Sequence, residues 1–223
     1  MGARRTVLAT AGFTAAAALL AAGQAFATGT APAAGNVLTY GGAAGSAVAV
    51  GDVLTSSLSA GTTVAIRTSV GGTTGITCTA SGFTATVTAN PAAPGTATES
   101  LTAQTFGGCT SNILGTTGVQ SITVEKLPAV TSVTSGGPIT VGVGGGLQTT
   151  VKLNTLLGLT TCTYTSTGLN GTTSNTDNSI TFANQLFSKS GGPITCPSSS
   201  YFSAKYGPVK DTSQSGSPSV FVN

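Results

Sequence analysis

The stretch Ile76-Thr77-Cys78-Thr79-Ala80-Ser81-Gly82-Phe83-Thr84-Ala85-Thr86-Val87 sets one cysteine among threonines, small residues and β-branched or aromatic side chains. Thr, Val, Ile and Phe favour a pleated backbone, and no apolar positions recur here at helical spacing. Similar short runs follow one another between Gly, Pro, Asn and Ser punctuation, the pattern of strands and turns. Strands are predicted at 47–50, 62–68, 75–80, 83–89, 99–105, 119–126, 138–143, 148–155, 160–166, 179–183, 201–206 and 219–222. Period-2 alternation places Val64 and Ile66 inward and Ala65 and Arg67 outward. Asn170-Gly171, between two polar-apolar runs, reads as the type I′ turn of a hairpin. The fold class is therefore all-β, a disulfide-stapled β-sandwich or barrel.

The chain also repeats itself. Thr62-Thr63-Val64-Ala65-Ile66-Arg67-Thr68 is answered by Thr149-Thr150-Val151-Lys152-Leu153-Asn154-Thr155, and each precedes a Thr-Cys-Thr triplet, around Cys78 and Cys162. Gln104-Thr105-Phe106 before Cys109 is matched by Gln185-Leu186-Phe187 before Cys196. These matches predict a pseudo-duplicated pair of roughly 90-residue antiparallel β units, a first at 36–128 and a second at 129–223, which can be fused into one sandwich. The run Ser-Gly-Gly-Pro-Ile-Thr occurs unchanged from Ser135 and from Ser190, out of register with the other matches. It reads as a reused turn-into-strand, with Pro at the strand start where its missing N–H matters least.

The amino terminus sets the compartment. Arg4-Arg5 precedes an Ala/Leu-rich apolar stretch, and Ala25-Phe26-Ala27 before Thr28 makes a small-x-small cleavage site. That pattern reads residues 1–27 as a signal peptide and 28–35 as a flexible lead-in. The twin arginine, with Val7 and Leu8 following, resembles a Tat export motif, while Sec export stays open. The expected product is secreted or extracellular, free or associated with the cell wall, and not stably inserted in a membrane after cleavage.

In an oxidising compartment four cysteines are first candidates for staples. Zinc would need close ligand pairs of the C-x2-C kind, and Cys78, Cys109, Cys162 and Cys196 have none, so no metal is expected. Of three possible pairings, Cys78–Cys109 and Cys162–Cys196 are expected, since each closes a loop within its own repeat.

Composition excludes several functions. The chain has no His and no Trp, and only 6% of its residues are charged. Without Arg4 and Arg5 its eight basic residues become six, against five acidic ones. Nucleic acid is a poor partner for so weak a charge. Lacking His, the chain can build neither a Ser-His-Asp nor a Cys-His arrangement, and no Ser stands three residues before a Lys. Glu99 and Asp177 fall near equivalent positions of the two copies. That placement argues for structural carboxylates, accepting backbone N–H groups in turns, rather than a glycosidase pair. Tyr201, Phe202 and Tyr206 read as core and strand edge. No catalytic residue, enzymatic activity or cofactor is expected.

The Tyr40-Gly-Gly opening, the segment from Asn90 to Ser100, Lys205-Tyr206-Gly-Pro-Val209 and the final Val220-Phe-Val-Asn223 together carry a resemblance over the whole chain. It resembles a group of uncharacterised actinobacterial secreted proteins with a Tat-type signal sequence. The resemblance implies a high-GC Gram-positive cell and release to the wall or medium, and brings no activity or ligand. The function expected is that of a non-enzymatic exported β protein that binds a ligand or associates with the cell surface. Its partner is unknown, a cell-wall polymer or an extracellular protein among the candidates. The alternatives are a self-assembling surface protein and an inhibitor of secreted hydrolases presenting residues 107–112 or 193–199 beside a disulfide.

Overall fold

Sixteen strands and no helix make up residues 35–223, the part of the chain that the computed structural model describes. The export reading at Arg4, Arg5, Ala25, Ala27 and Thr28 lies outside those residues. In chain order the strands begin with β1 (Leu38–Tyr40), β2 (Ser46–Ala47), β3 (Val53–Ser57), β4 (Val64–Arg67) and β5 (Gly75–Ala89). Next come β6 (Thr96–Ser111), β7 (Thr116–Val124), β8 (Ala129–Thr134), β9 (Pro138–Val141), β10 (Leu147–Thr155) and β11 (Gly158–Ser166). The last are β12 (Leu169–Ser174), β13 (Ser179–Gly191), β14 (Ser199–Tyr206), β15 (Lys210–Asp211) and β16 (Val220–Val222).

Eight of them close an antiparallel barrel in the order β12-β9-β8-β6-β5-β4-β14-β13, sealed where β13 pairs back onto β12. Closure leaves the barrel strands no free edge. From β13 the sheet also continues through β11, β10 and β7, while β3 pairs with β5 and with β15. The short sheet β16-β1-β2 is separate. Long strands serve two sets of neighbours. Along β5, Gly75–Cys78 pairs with β4 and Gly82–Thr86 with β3. On β13 the partner changes from β12 to β11 across a bulge between Phe182 and Gln185, where Asn184 has φ 49°.

The repeated stretches are equivalent hairpins. Val64 stands opposite Cys78 in β4–β5, and Val151 stands opposite Cys162 in β10–β11. Strands from both halves nonetheless share one barrel, since β6 pairs with β8 and β4 with β14. Both expected disulfides are present. Cys78–Cys109 links directly opposed residues of β5 and β6, and Cys162–Cys196 ties β11 to the loop after β13.

Alternation decides what is inside. Along β14, Ser200, Phe202, Ala204 and Tyr206 are buried while the intervening residues are only half covered. Val64, Ile76, Val87, Val133, Ile139 and Phe182 join them in one core. Each such side chain contributes about 1.5–3 kcal/mol by leaving water. The outward positions are chiefly threonine and serine, the reverse of a barrel whose outer face meets lipid. Among the described residues no helix is long and apolar enough to cross a membrane.

Three expectations need correction. The predicted strands 75–80 and 83–89 are one continuous strand, because Gly82 admits β3 alongside: a Cβ there would lie 3.0 Å from the Ser56 carbonyl oxygen. Asn170-Gly171 is not a turn. It lies within β12, paired on both sides, and Gly171 is there for close approach: a Cβ would stand 2.8 Å from the Phe182 ring. The second Ser-Gly-Gly-Pro-Ile-Thr copy also fails to enter a strand. Pro138 does open β9, but Pro193 and Ile194 stay in the loop between β13 and β14, which the disulfide at Cys196 holds.

Candidate ligand site inside the barrel

The barrel interior is not completely filled. A cavity of about 90 Å³ lies among Phe83, Leu101, Ile139, Phe182, Phe202 and other apolar side chains contributed by both halves of the chain. That is room for about three water molecules at liquid density. Its walls are stiffened by aromatic contacts. Phe83 meets Tyr206 edge-on at 5.6 Å, and Phe202 packs near both Phe106 and Phe182, at 6.5 and 6.2 Å.

Polar groups reach this space at few points, and Glu99 is the one with a carboxyl. Its neighbours Ala97 and Leu101 share its face of β6, so the pleat points all three inward. Glu99 is 7% exposed and lines the cavity. A smaller space of about 30 Å³ touches its other side, beneath Leu38, Val220 and Val222. Burial raises its pKa from 4.5 to about 7, with no cation or hydrogen bond to offset the lost hydration. Its cross-strand neighbour Thr131 also faces the cavity. Near neutral pH the site therefore holds a carboxyl balanced between acceptor and donor.

Of the other polar groups on the wall, Gln104 and Tyr206 are hydrogen-bonded. Ser81 Oγ donates to the Thr105 carbonyl at 2.6 Å, so the hydroxyl of Tyr206 donates to Ser81 Oγ at 2.9 Å. Gln104 Nε2 donates to the Tyr206 oxygen at 3.0 Å. Burial lifts the Tyr206 pKa, and it pushes that of Tyr164, also on the cavity wall, up to about 12. Both phenols remain neutral donors.

The structure separates the residues that sequence reasoning had paired. Glu99 is inside the barrel, whereas Asp177 lies in the exposed turn before β13, ion-paired with Lys205 at 2.6 Å. Asp177 Oδ1 accepts the Ser179 hydroxyl, and the Lys205 ammonium holds its pKa down at about 2. The expectation of equivalent turn carboxylates is thus overturned for Glu99. One signal pointed the other way: in Ala97-Thr98-Glu99-Ser100-Leu101, period 2 puts Glu99 on the apolar face. Phe202 and Tyr206 are core, and Tyr201 is half covered. Of the two segments considered for an inhibitor, 107–112 is mostly strand β6, while 193–199 is loop up to Ser199, which opens β14, with Ile194 exposed.

One further carboxyl is buried. Asp211 on β15 is fully covered, and its Oδ1 accepts the Ser213 N–H at 3.0 Å. Its Oδ2 has no hydrogen-bonding group, and burial together with the adjoining Asp52 charge raises its pKa. Among the described residues no three acidic or cysteine side chains converge as a metal site would require. No protein-family model, curated protein or solved structure matches the chain.

Proposed function

We propose that this is an exported, non-enzymatic binding protein whose barrel holds a small, largely apolar molecule bearing one amine or hydroxyl. The observation that carries the reading is Glu99, a buried carboxyl facing an apolar cavity without a hydrogen-bonding or ionic partner. Binding sites of this kind are apolar with few polar groups that fix orientation. An amine would supply the missing cation, and a hydroxyl the missing donor. The size of the cavity favours a short aliphatic chain. Export is supported by the two disulfides, which persist in oxidising compartments.

Titration of the protein with butylamine and with 1-butanol, followed by NMR of the side chains around Glu99, tests this. Butylamine should bind more tightly as pH rises through about 7, because the ionised carboxylate is its partner, and butanol should not. Glu99→Gln should remove the pH dependence and most of the amine affinity. If neither compound perturbs the interior, or if Glu99→Gln binds amine unchanged, the reading fails.

A further inference from the structure

Four loops leave the barrel and its extension at one end. They are residues 68–74 between β4 and β5, 112–115 between β6 and β7, 156–157 between β10 and β11, and 192–198 between β13 and β14. Hydrogen bonds place them side by side. Asn112 Nδ2 donates to the Thr73 carbonyl at 3.1 Å, and the Gly75 N–H donates to Asn112 Oδ1 at 2.7 Å. The Leu156 N–H donates to the Gly115 carbonyl at 3.2 Å. The Cys162–Cys196 disulfide fastens the fourth loop to β11, close behind the Leu156-Leu157 turn.

Every one of these loops carries a large apolar side chain into solvent: Val70, Leu114, Leu156 with Leu157, and Ile194. Leu114 and Leu157 are 99% exposed and Ile194 95%. Scattered exposed apolar residues are ordinary, but one on each loop of a single end marks a contact surface. Leucine at a two-residue turn has no local reason, since turns favour Gly, Asn and Asp.

Charge identifies the partner. Residues 64–75, 109–118, 152–161 and 188–200, the loops and their flanking strand ends, contain Arg67, Lys152 and Lys189 and no carboxylate. The acidic residues lie elsewhere. Asp211 and Asp52 adjoin each other beside β3, Asp177 sits in the turn between β12 and β13, Glu125 follows β7, and Glu99 is inside. Apolar tips backed by cations match a membrane interface, where the tips reach the acyl boundary and the cations stay at phosphate depth. A protein groove would ask for no such layering. We infer that this end docks on an anionic lipid bilayer. Leu114, Leu156, Leu157 and Ile194 enter the interface and Lys152 meets lipid phosphate, while Arg67 and Lys189, which donate to carbonyl and hydroxyl oxygens of the chain itself, add unneutralised positive charge behind the tips. The attachment is peripheral, with no strand crossing the membrane, and it does not depend on the interior site.

The test is flotation of residues 28–223, which contain the whole compact unit, with vesicles of phosphatidylglycerol and phosphatidylcholine in equal parts and with phosphatidylcholine alone. The protein should float with the anionic vesicles, less with the neutral ones, and less again in high salt. Leu114→Ser and Leu157→Ser should each lower partitioning on the order of tenfold, and Lys152→Gln about fivefold. Circular dichroism should show all three variants folded, since these side chains make no core contact. Absence of flotation with anionic vesicles overturns the inference, as does flotation indifferent to the leucines. So does sedimentation showing that the same leucines mediate self-association while vesicles are ignored.

Discussion

Glu99 stands opposite Thr131 in the antiparallel β6–β8 ladder, and both side chains are buried against the same cavity. Thr131 has one hydroxyl and no charge to offer, so the carboxyl keeps its proton to unusually high pH. The folded state prefers the protonated acid, and the unfolded chain titrates it at its ordinary value. The contribution of Glu99 to stability is therefore fully present at or below pH 4.5, is lost as pH rises towards about 7, and does not change above that. At roughly 1.4 kcal/mol per pH unit the loss amounts to about 3 kcal/mol. Urea unfolding at pH 5 and pH 8 should reveal the difference, and Glu99→Gln should abolish most of it.

Asp211 leads to a related expectation. Its Oδ2 lacks a donor, and Asp52 adjoins it. Asp211→Asn keeps the oxygen that accepts the Ser213 N–H, removes the buried charge and brings an N–H2 toward Asp52. The variant should melt at a higher temperature than the parent at pH 7. At pH 3, where the acid is protonated in both states, the two should melt together. A lower midpoint at pH 7 would show that the charge is compensated.

Gly171 is held by packing rather than by backbone conformation. A Cβ would stand 2.8 Å from both the Phe182 ring and the Thr181 carbonyl oxygen. Gly171→Ala should destabilise by about 1–3 kcal/mol, the usual range for forcing an extra carbon into a filled space. Because β12 closes the barrel, hydrogen exchange should quicken along β12 and β9 before the β5–β6 hairpin loosens.

The two staples should fail differently. Replacing either pair by alanine should cost about 3–4 kcal/mol on the chain-entropy account. Cys78 and Cys109 face each other within a continuous ladder, so backbone pairing survives their loss. Residues 192–198 have no ladder of their own, and Cys162→Ala with Cys196→Ala should release them to rapid exchange and to proteolysis near Ile194. If the first pair frees its strands while the second leaves the loop protected, this assignment is reversed.

The site was only partly legible in the sequence. Ala97, Glu99 and Leu101 share a face by simple alternation, but whether that face meets solvent or core depends on β8 and β5 closing over it. The cavity is invisible in one dimension, because its walls come from residues as far apart as Ile66 and Tyr206. The apolar tips Leu114 and Leu157 were equally hard to read, since nothing local tells a buried leucine from an exposed one.

What the sequence by itself determined was the class and the staples. Threonine and β-branched runs between glycine and proline admit little besides strands, and the two copies of the Val-to-Cys hairpin carried the pairing Cys78–Cys109 and Cys162–Cys196. Tertiary structure decided the rest. Ile139 and Ile194 occupy the same place in an identical six-residue run, yet one is 3% exposed in the barrel and the other 95% exposed on a loop. The first run lies between β8 and β12, whose unpaired N–H and C=O groups need a strand between them. The second follows a β13 that has already met its neighbours and is drawn aside by the Cys162–Cys196 bond. Backbone pairing is satisfied by whatever chain lies alongside, and only the folded topology says which chain that is.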